Sequence, residues 1–83
     1  MLTVIIVELF AKTHPRKWLH DTIASQIVEG ESLIGPIIEF IEDNRYKAYI
    51  EISSIISPEK WIVECIESDL EDGEYIERIL FTS

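Results

Sequence analysis

Ile34-Gly35-Pro36-Ile37-Ile38-Glu39-Phe40-Ile41-Glu42, then Asp43-Asn44-Arg45, then Tyr46-Lys47-Ala48-Tyr49-Ile50-Glu51-Ile52-Ser53-Ser54-Ile55-Ile56, is two β-rich runs separated by a short polar break. Aromatic and β-branched residues fit a pleated, half-buried surface. Asp, Asn and a charged neighbour between them read as a turn. Together they predict a β-hairpin with strands over 34–42 and 46–55. Pro36 suits the start of a strand or an edge strand, since it cannot donate to a ladder. The competing reading is a helix over 36–43, which would tolerate Glu39, Glu42 and Asp43.

Helical patterns flank the hairpin on both sides. Downstream, Ser57-Pro58-Glu59-Lys60 reads as an N-cap, a proline at the first helical position and an acidic first turn. The spacing predicts a helix over 58–72, with Trp61, Ile62, Cys65, Ile66 and Leu70 as its buried stripe and Gly73 as its stop. Upstream, Thr13 or His14 can cap a helix that Pro15 opens. Leu19, Ile23, Ala24, Ile27 and Val28 carry the pattern over 16–29, and Gly30 stops it. Arg16 and Lys17 sit where the helix dipole disfavours positive charge; Asp21 is better placed.

The two ends complete the order. Residues 2–10 are apolar on both alternating faces, the pattern of a central strand. Residues 74–82 form a closing strand, with Tyr75, Ile79 and Phe81 facing one way and Ile76 and Leu80 the other. The expected fold class is α+β: a ferredoxin-like split βαβ, or βαββαβ, arrangement. It has a four-stranded antiparallel sheet with two helices on one face and right-handed crossovers. Eighty-three residues predict a single domain over 1–83 with a small core, since such a chain buries only about 60% of its unfolded surface.

Composition narrows the function. The chain is 47% hydrophobic and 28% charged, the balance of a folded domain. Its formal net charge of −9 opposes direct binding to nucleic acid or anionic membranes. One cysteine allows no internal disulfide and no multi-cysteine metal site. The apolar N-terminal run carries Glu8 and no basic flank, so it does not read as a signal peptide, and it is too short to span a bilayer. The expected location is the cytoplasm.

Four groups of side chains are candidates for function. With helices on one sheet face, the other should be polar in a monomer; instead both alternating sets of the first strand are apolar. This predicts a homodimer packed sheet on sheet, through Ile5, Val7, Tyr49 and Ile55. Lys47, Glu51 and Arg78 could instead cover that face with their long side chains. Lys12, His14, Arg16 and Lys17 crowd a strand-to-helix junction, where a phosphate or carboxylate could bind, although no glycine-rich cradle accompanies them. Glu64, Glu67 and Glu71 form an acidic helix face able to dock a basic protein partner, or simply a solvated one. Glu8 could pair with His14 near the strand end.

Catalytic and metal readings are weaker. His14 and His20 are six apart, which is not the spacing of a helical metal pair, and the acidic run does not fit a calcium loop. Cys65 on a buried stripe behaves as a small apolar residue, and Trp18 and Trp61 read as packing anchors. No cofactor is expected. The leading expectation is a non-catalytic regulatory or adaptor module that dimerises through its sheet. The alternatives are a small-ligand or anion-binding module using the 12–20 segment, an acidic nucleic-acid mimic, and a small α+β barrel enzyme using His14 or Glu8.

Overall fold

The computed structural model describes residues 1–82. The elements run β1 (Leu2–Phe10), α1 (Arg16–Ala24), β2 (Ser32–Glu42), β3 (Arg45–Ser53), α2 (Glu59–Asp69) and β4 (Tyr75–Thr82). The strands form one four-stranded sheet in the order β2-β3-β1-β4, antiparallel at every pairing. The chain is therefore α+β, and the hairpin replaces the competing helix over 36–43.

The hairpin turn is the two residues Asp43 and Asn44. Asn44 has φ 63°, a left-handed conformation that asparagine tolerates better than most residues. Its side-chain amide donates to the carbonyls of Ala11 (3.1 Å) and Lys12 (3.2 Å), while the Ala11 N–H donates to the Asn44 carbonyl at 2.8 Å. The turn thus clamps the end of β1.

Both helices stop earlier than their apolar periodicity predicts. In α1, the Ser25 hydroxyl donates to the Thr22 carbonyl at 2.7 Å, and the N–H groups of Gln26 and Ile27 reach back only three residues, to Ile23 and Ala24. A polar side chain competing for backbone acceptors tightens and ends the helix. Val28, expected on the buried stripe, is consequently exposed. In α2, Leu70 turns extended and the Glu74 carboxylate takes the N–H groups of Glu71 (2.8 Å) and Lys12 (2.7 Å). The caps also differ from expectation. Pro15 and Pro58 occupy the N-cap positions themselves and neither has a side-chain cap bond; the Ser57 hydroxyl keeps a long contact, 3.4 Å, with the Glu59 N–H.

The core lies between the helices and one sheet face. Ile5, Val7 and Leu9 of β1 and Ala48, Ile50 and Ile52 of β3 are fully buried with Leu19, Ile23, Ile62 and Ile66 of the helices. This corrects the expectation for Ile5 and Val7. They lie beneath the helices, paired with Ile50 and Ala48, while Tyr49 is opposite Ile6 on the other face. Ile55 is 91% exposed, but it lies beyond β3 rather than in the sheet. Hence the four residues predicted to form a dimer interface do not share a surface.

The pairing is interrupted three times: once beside the hairpin turn, where Ile41 is the extra residue between the Phe40–Tyr46 and Glu42–Arg45 pairs, and twice further along the strands, where bulges reset which residues face where. Along β2, Ile34 is opposite Glu51 and Ile37 is opposite Tyr49, so Gly35 and Pro36 together span one residue of β3. Gly35 has φ +95°, and a Cβ there would lie 2.7 Å from the Tyr49 carbonyl oxygen, so only glycine fits. Along β4, Glu8 is opposite Arg78 but Leu9 is opposite Ile76, leaving Glu77 as the extra residue. Ile76, Ile79 and Phe81 therefore pack toward the core, whereas Tyr75 pairs with Phe10 on the far face. This corrects the simple alternation, which grouped Tyr75 with Ile79 and Phe81.

Candidate interaction surface

The sheet face away from the helices is a grid whose rows cross all four strands in the order β2-β3-β1-β4. One row is Ile34–Glu51–Val4–Thr82, the next Ile37–Tyr49–Ile6–Leu80, and the next Glu39–Lys47–Glu8–Arg78. Phe10 and Tyr75 follow, their rings stacked at 5.5 Å and 6°. Ile37 is 66% exposed, Ile34 58% and Leu80 39%, while Val4, Ile6 and Tyr49 are half-buried. An apolar strip is thus open to solvent in the middle of the sheet, bordered by a row of alternating charge.

That charged row is held in place by its neighbours. The Tyr49 hydroxyl donates to Glu39 Oε2 at 3.2 Å, and Lys47 Nζ lies 5.7 Å from the Tyr49 ring centroid. Arg78 approaches Glu8 at 3.9 Å, so the acid expected near His14 pairs with an arginine of the adjacent strand instead. Beyond it, Arg45 binds Glu77 in fork geometry, Nε to Oε1 at 2.8 Å and Nη2 to Oε2 at 2.9 Å, and also contacts Glu42. Glu77 first, and Glu42 with it, hold the guanidinium above its ordinary pKa range. The bulged residue Glu77 thereby acquires a structural role.

The basic segment is spread out. Lys12, His14, Arg16 and Lys17 are all exposed. The Lys12 side chain lies by Gly73, and the His14 ring meets Tyr46 edge to face at 5.4 Å. His14 Nδ1 accepts a long bond from the Arg16 N–H, 3.4 Å. Lys17 is paired with Asp21 at 2.9 Å; the hydrogen bond raises the lysine pKa, and together with one from His20 it lowers that of Asp21. The side chains of Lys12, His14 and Lys17 thus have separate neighbours, and none of the four residues lines either of the clefts described next.

One cleft, about 200 Å³, is lined by Met1, Thr3, Ser57, Glu59, Phe81 and Thr82. A second, about 240 Å³, runs between the helices and is lined by Thr22, Gln26, Trp61, Glu64, Cys65 and Ser68. Both fall below the roughly 300–1,000 Å³ of ordinary small-molecule sites. Neither histidine lines them, nor does Glu8. Among the described residues no group of three His, Cys, Asp or Glu side chains could hold a metal ion, and no helix is long and apolar enough to cross a membrane.

The second cleft adjoins the acidic surface. Glu64 and Glu67 are exposed on α2, and Glu71 is exposed just past its end. Glu64 and the half-buried Trp61 both line this cleft. Cys65 is half-buried there; its thiol donates to the Ile62 carbonyl at 3.3 Å, and burial pushes its pKa up.

Comparison with known proteins gives no match to a family model, a curated protein or a solved structure.

Proposed function

We propose that this chain is a small acidic, non-catalytic regulatory or adaptor module of ferredoxin-like, split βαβ arrangement. It dimerises through the open face of its sheet and engages a basic protein partner along α2. The observation that carries this reading is the exposed apolar strip Ile34, Ile37 and Leu80 beside Val4, Ile6 and Tyr49. An open antiparallel face in contact with water reads as polar, and contiguous apolar patches mark interaction surfaces. The element order and the strand order β2-β3-β1-β4 support the fold part of the reading. The exposed Glu64 and Glu67 of α2 and a net charge of −9 support a cationic partner on the helical side.

Two variants test it. Ile37→Glu places a charge in the strip, on an edge strand where the separate chain tolerates it. Light scattering should then give the mass of one chain, with the far-UV circular dichroism unchanged; a persisting dimer contradicts the sheet-face reading. Glu64→Lys with Glu67→Lys should release proteins that co-purify with the unmodified chain, with little change in melting temperature. Undiminished retention contradicts the docking role of α2.

A further inference from the structure

The charged row of the open face is antisymmetric across the sheet. From β2 to β4 it reads Glu39, Lys47, Glu8, Arg78, that is, minus, plus, minus, plus. The geometry points to a specific self-association: a second copy packs face to face about a two-fold axis that runs parallel to the strands, over the midline between β3 and β1. This rests on the dimer reading above and adds its register.

The symmetry operation explains why. Rotation about that axis lays β2 over the partner's β4 and β3 over the partner's β1, and keeps each row over itself. Glu39 then meets a second Arg78, and Lys47 meets a second Glu8, so all four positions of the row find the opposite charge. In the next row Ile37 meets Leu80 and Tyr49 meets Ile6, apolar against apolar, and in the row beyond it Ile34 meets Thr82 and Glu51 meets Val4, the one unmatched charge of the three rows. A two-fold axis along the Ile37–Tyr49–Ile6–Leu80 row also brings the faces together. It lays each strand over its own copy, so Glu39 falls on Ile34, Glu8 on Val4 and Arg78 on Thr82. Only Lys47 finds an opposite charge there, in Glu51. Complementary charge across an interface fixes register, and like or unmatched charges select against the wrong one.

Dimensions and packing agree with a face-to-face pair. Four strands about 4.8 Å apart and some eight residues long give a footprint of roughly 500 Å². Side-chain relief carries this toward the ~800 Å² per partner of a standard interface. Sheets that pack in an aligned way keep their strands within about 30° of each other, which an axis parallel to the strands provides.

The test uses two charge reversals, Glu39→Arg and Arg78→Glu, measured by analytical ultracentrifugation and native mass spectrometry, with circular dichroism to verify folding. Each variant alone places like charges opposite one another at two symmetric sites, and should raise the dimer dissociation constant about 100-fold. A one-to-one mixture restores both pairs in the heterodimer: the two substituted side chains face each other with opposite charge, and the unsubstituted Arg78 of one chain faces the unsubstituted Glu39 of the other. It should associate within about tenfold of the unmodified chain. A mixture no tighter than either variant alone overturns the register while leaving the dimer standing. If the unmodified chain is a monomer at high concentration, both the dimer reading and the register fail. If single reversals leave dimerisation unchanged, the charged row lies outside the interface, and the inference fails by itself.

Discussion

Replacing Gly35 by alanine should be among the most damaging single-methyl additions in the chain. Gly35 has φ +95°, and the added Cβ would stand 2.7 Å from the Tyr49 carbonyl oxygen and 3.2 Å from the Ile37 nitrogen. Holding an alanine in a left-handed conformation costs about 1–2 kcal/mol. Moving two paired strands apart within a tight bulge adds about 1–3 kcal/mol, the usual size of an overpacking penalty. The total is about 2–5 kcal/mol, a large share of the roughly 4–12 kcal/mol expected for a chain of this length. Gly30 is the internal control: its φ is +90°, but a Cβ there meets nothing within 4 Å, so Gly30→Ala should cost only the conformational part, about 1–2 kcal/mol. Urea unfolding at fixed chain concentration separates the two. With a slope near 1 kcal/mol/M, the Gly35 variant should lose about 2–5 M in midpoint and the Gly30 variant about 1–2 M. The bulge also decides that Ile37 and Glu39 face outward, so the Gly35 variant should lose self-association as well. Equal costs at the two glycines would refute the close-approach reasoning.

Other predictions concern the turn and the thiol. Asn44→Ala gives up two side-chain hydrogen bonds to Ala11 and Lys12 and the tolerance for φ 63°, and should cost about 2 kcal/mol in urea unfolding; Asn44→Gly keeps the conformation and should cost less. Equal losses would show that the amide contacts, rather than the backbone angle, dominate. Cys65 should react slowly with a disulfide reagent at pH 8, because burial raises its thiol pKa. Its protonated state is favoured by folding, so its contribution to stability is complete below the unfolded thiol pKa and is lost as pH rises through the folded one. Removing Cys65 with serine should flatten the alkaline limb of the stability profile; an unchanged limb would place the titration elsewhere. Asp21 has the opposite sign: its pKa is lowered by Lys17 first and then His20, so its contribution is present above the ordinary carboxylate pKa and fades on acidification. Asp21→Asn should weaken the acid dependence slightly, and high salt should erase the difference, since the pair is exposed.

Much of the fold is legible in short-range chemistry. The limits of β1 follow from its β-branched run, and the hairpin from two such runs about Asp43-Asn44. Helix ends are less so, because Ser25 and Glu74 end α1 and α2 through bonds that periodicity does not register. The faces of β1 pose a different problem. Leu2, Val4, Ile6 and Phe10 are as apolar as Ile5, Val7 and Leu9, so alternation by itself cannot say which set is covered. The available signal is Glu8: a lone acid in the even set assigns that set to the open side. The bulges at Gly35-Pro36 and Glu77 lie further out of reach, since each shifts the count by one residue and turns every later side chain over. As a result, the apolar strip and its charged row emerge only when the strands are paired. The acidic surface of α2 is legible from composition, whereas the cleft it adjoins beside α1 needs the helices packed.

Self-association through the open sheet face is read from the native mass of the unmodified chain, followed by light scattering from low micromolar to high concentration. Twice the chain mass is expected, with dissociation on dilution and on introducing Ile37→Glu. A single-chain mass throughout that range would contradict it, and would show that the open sheet face does not bind its own copy.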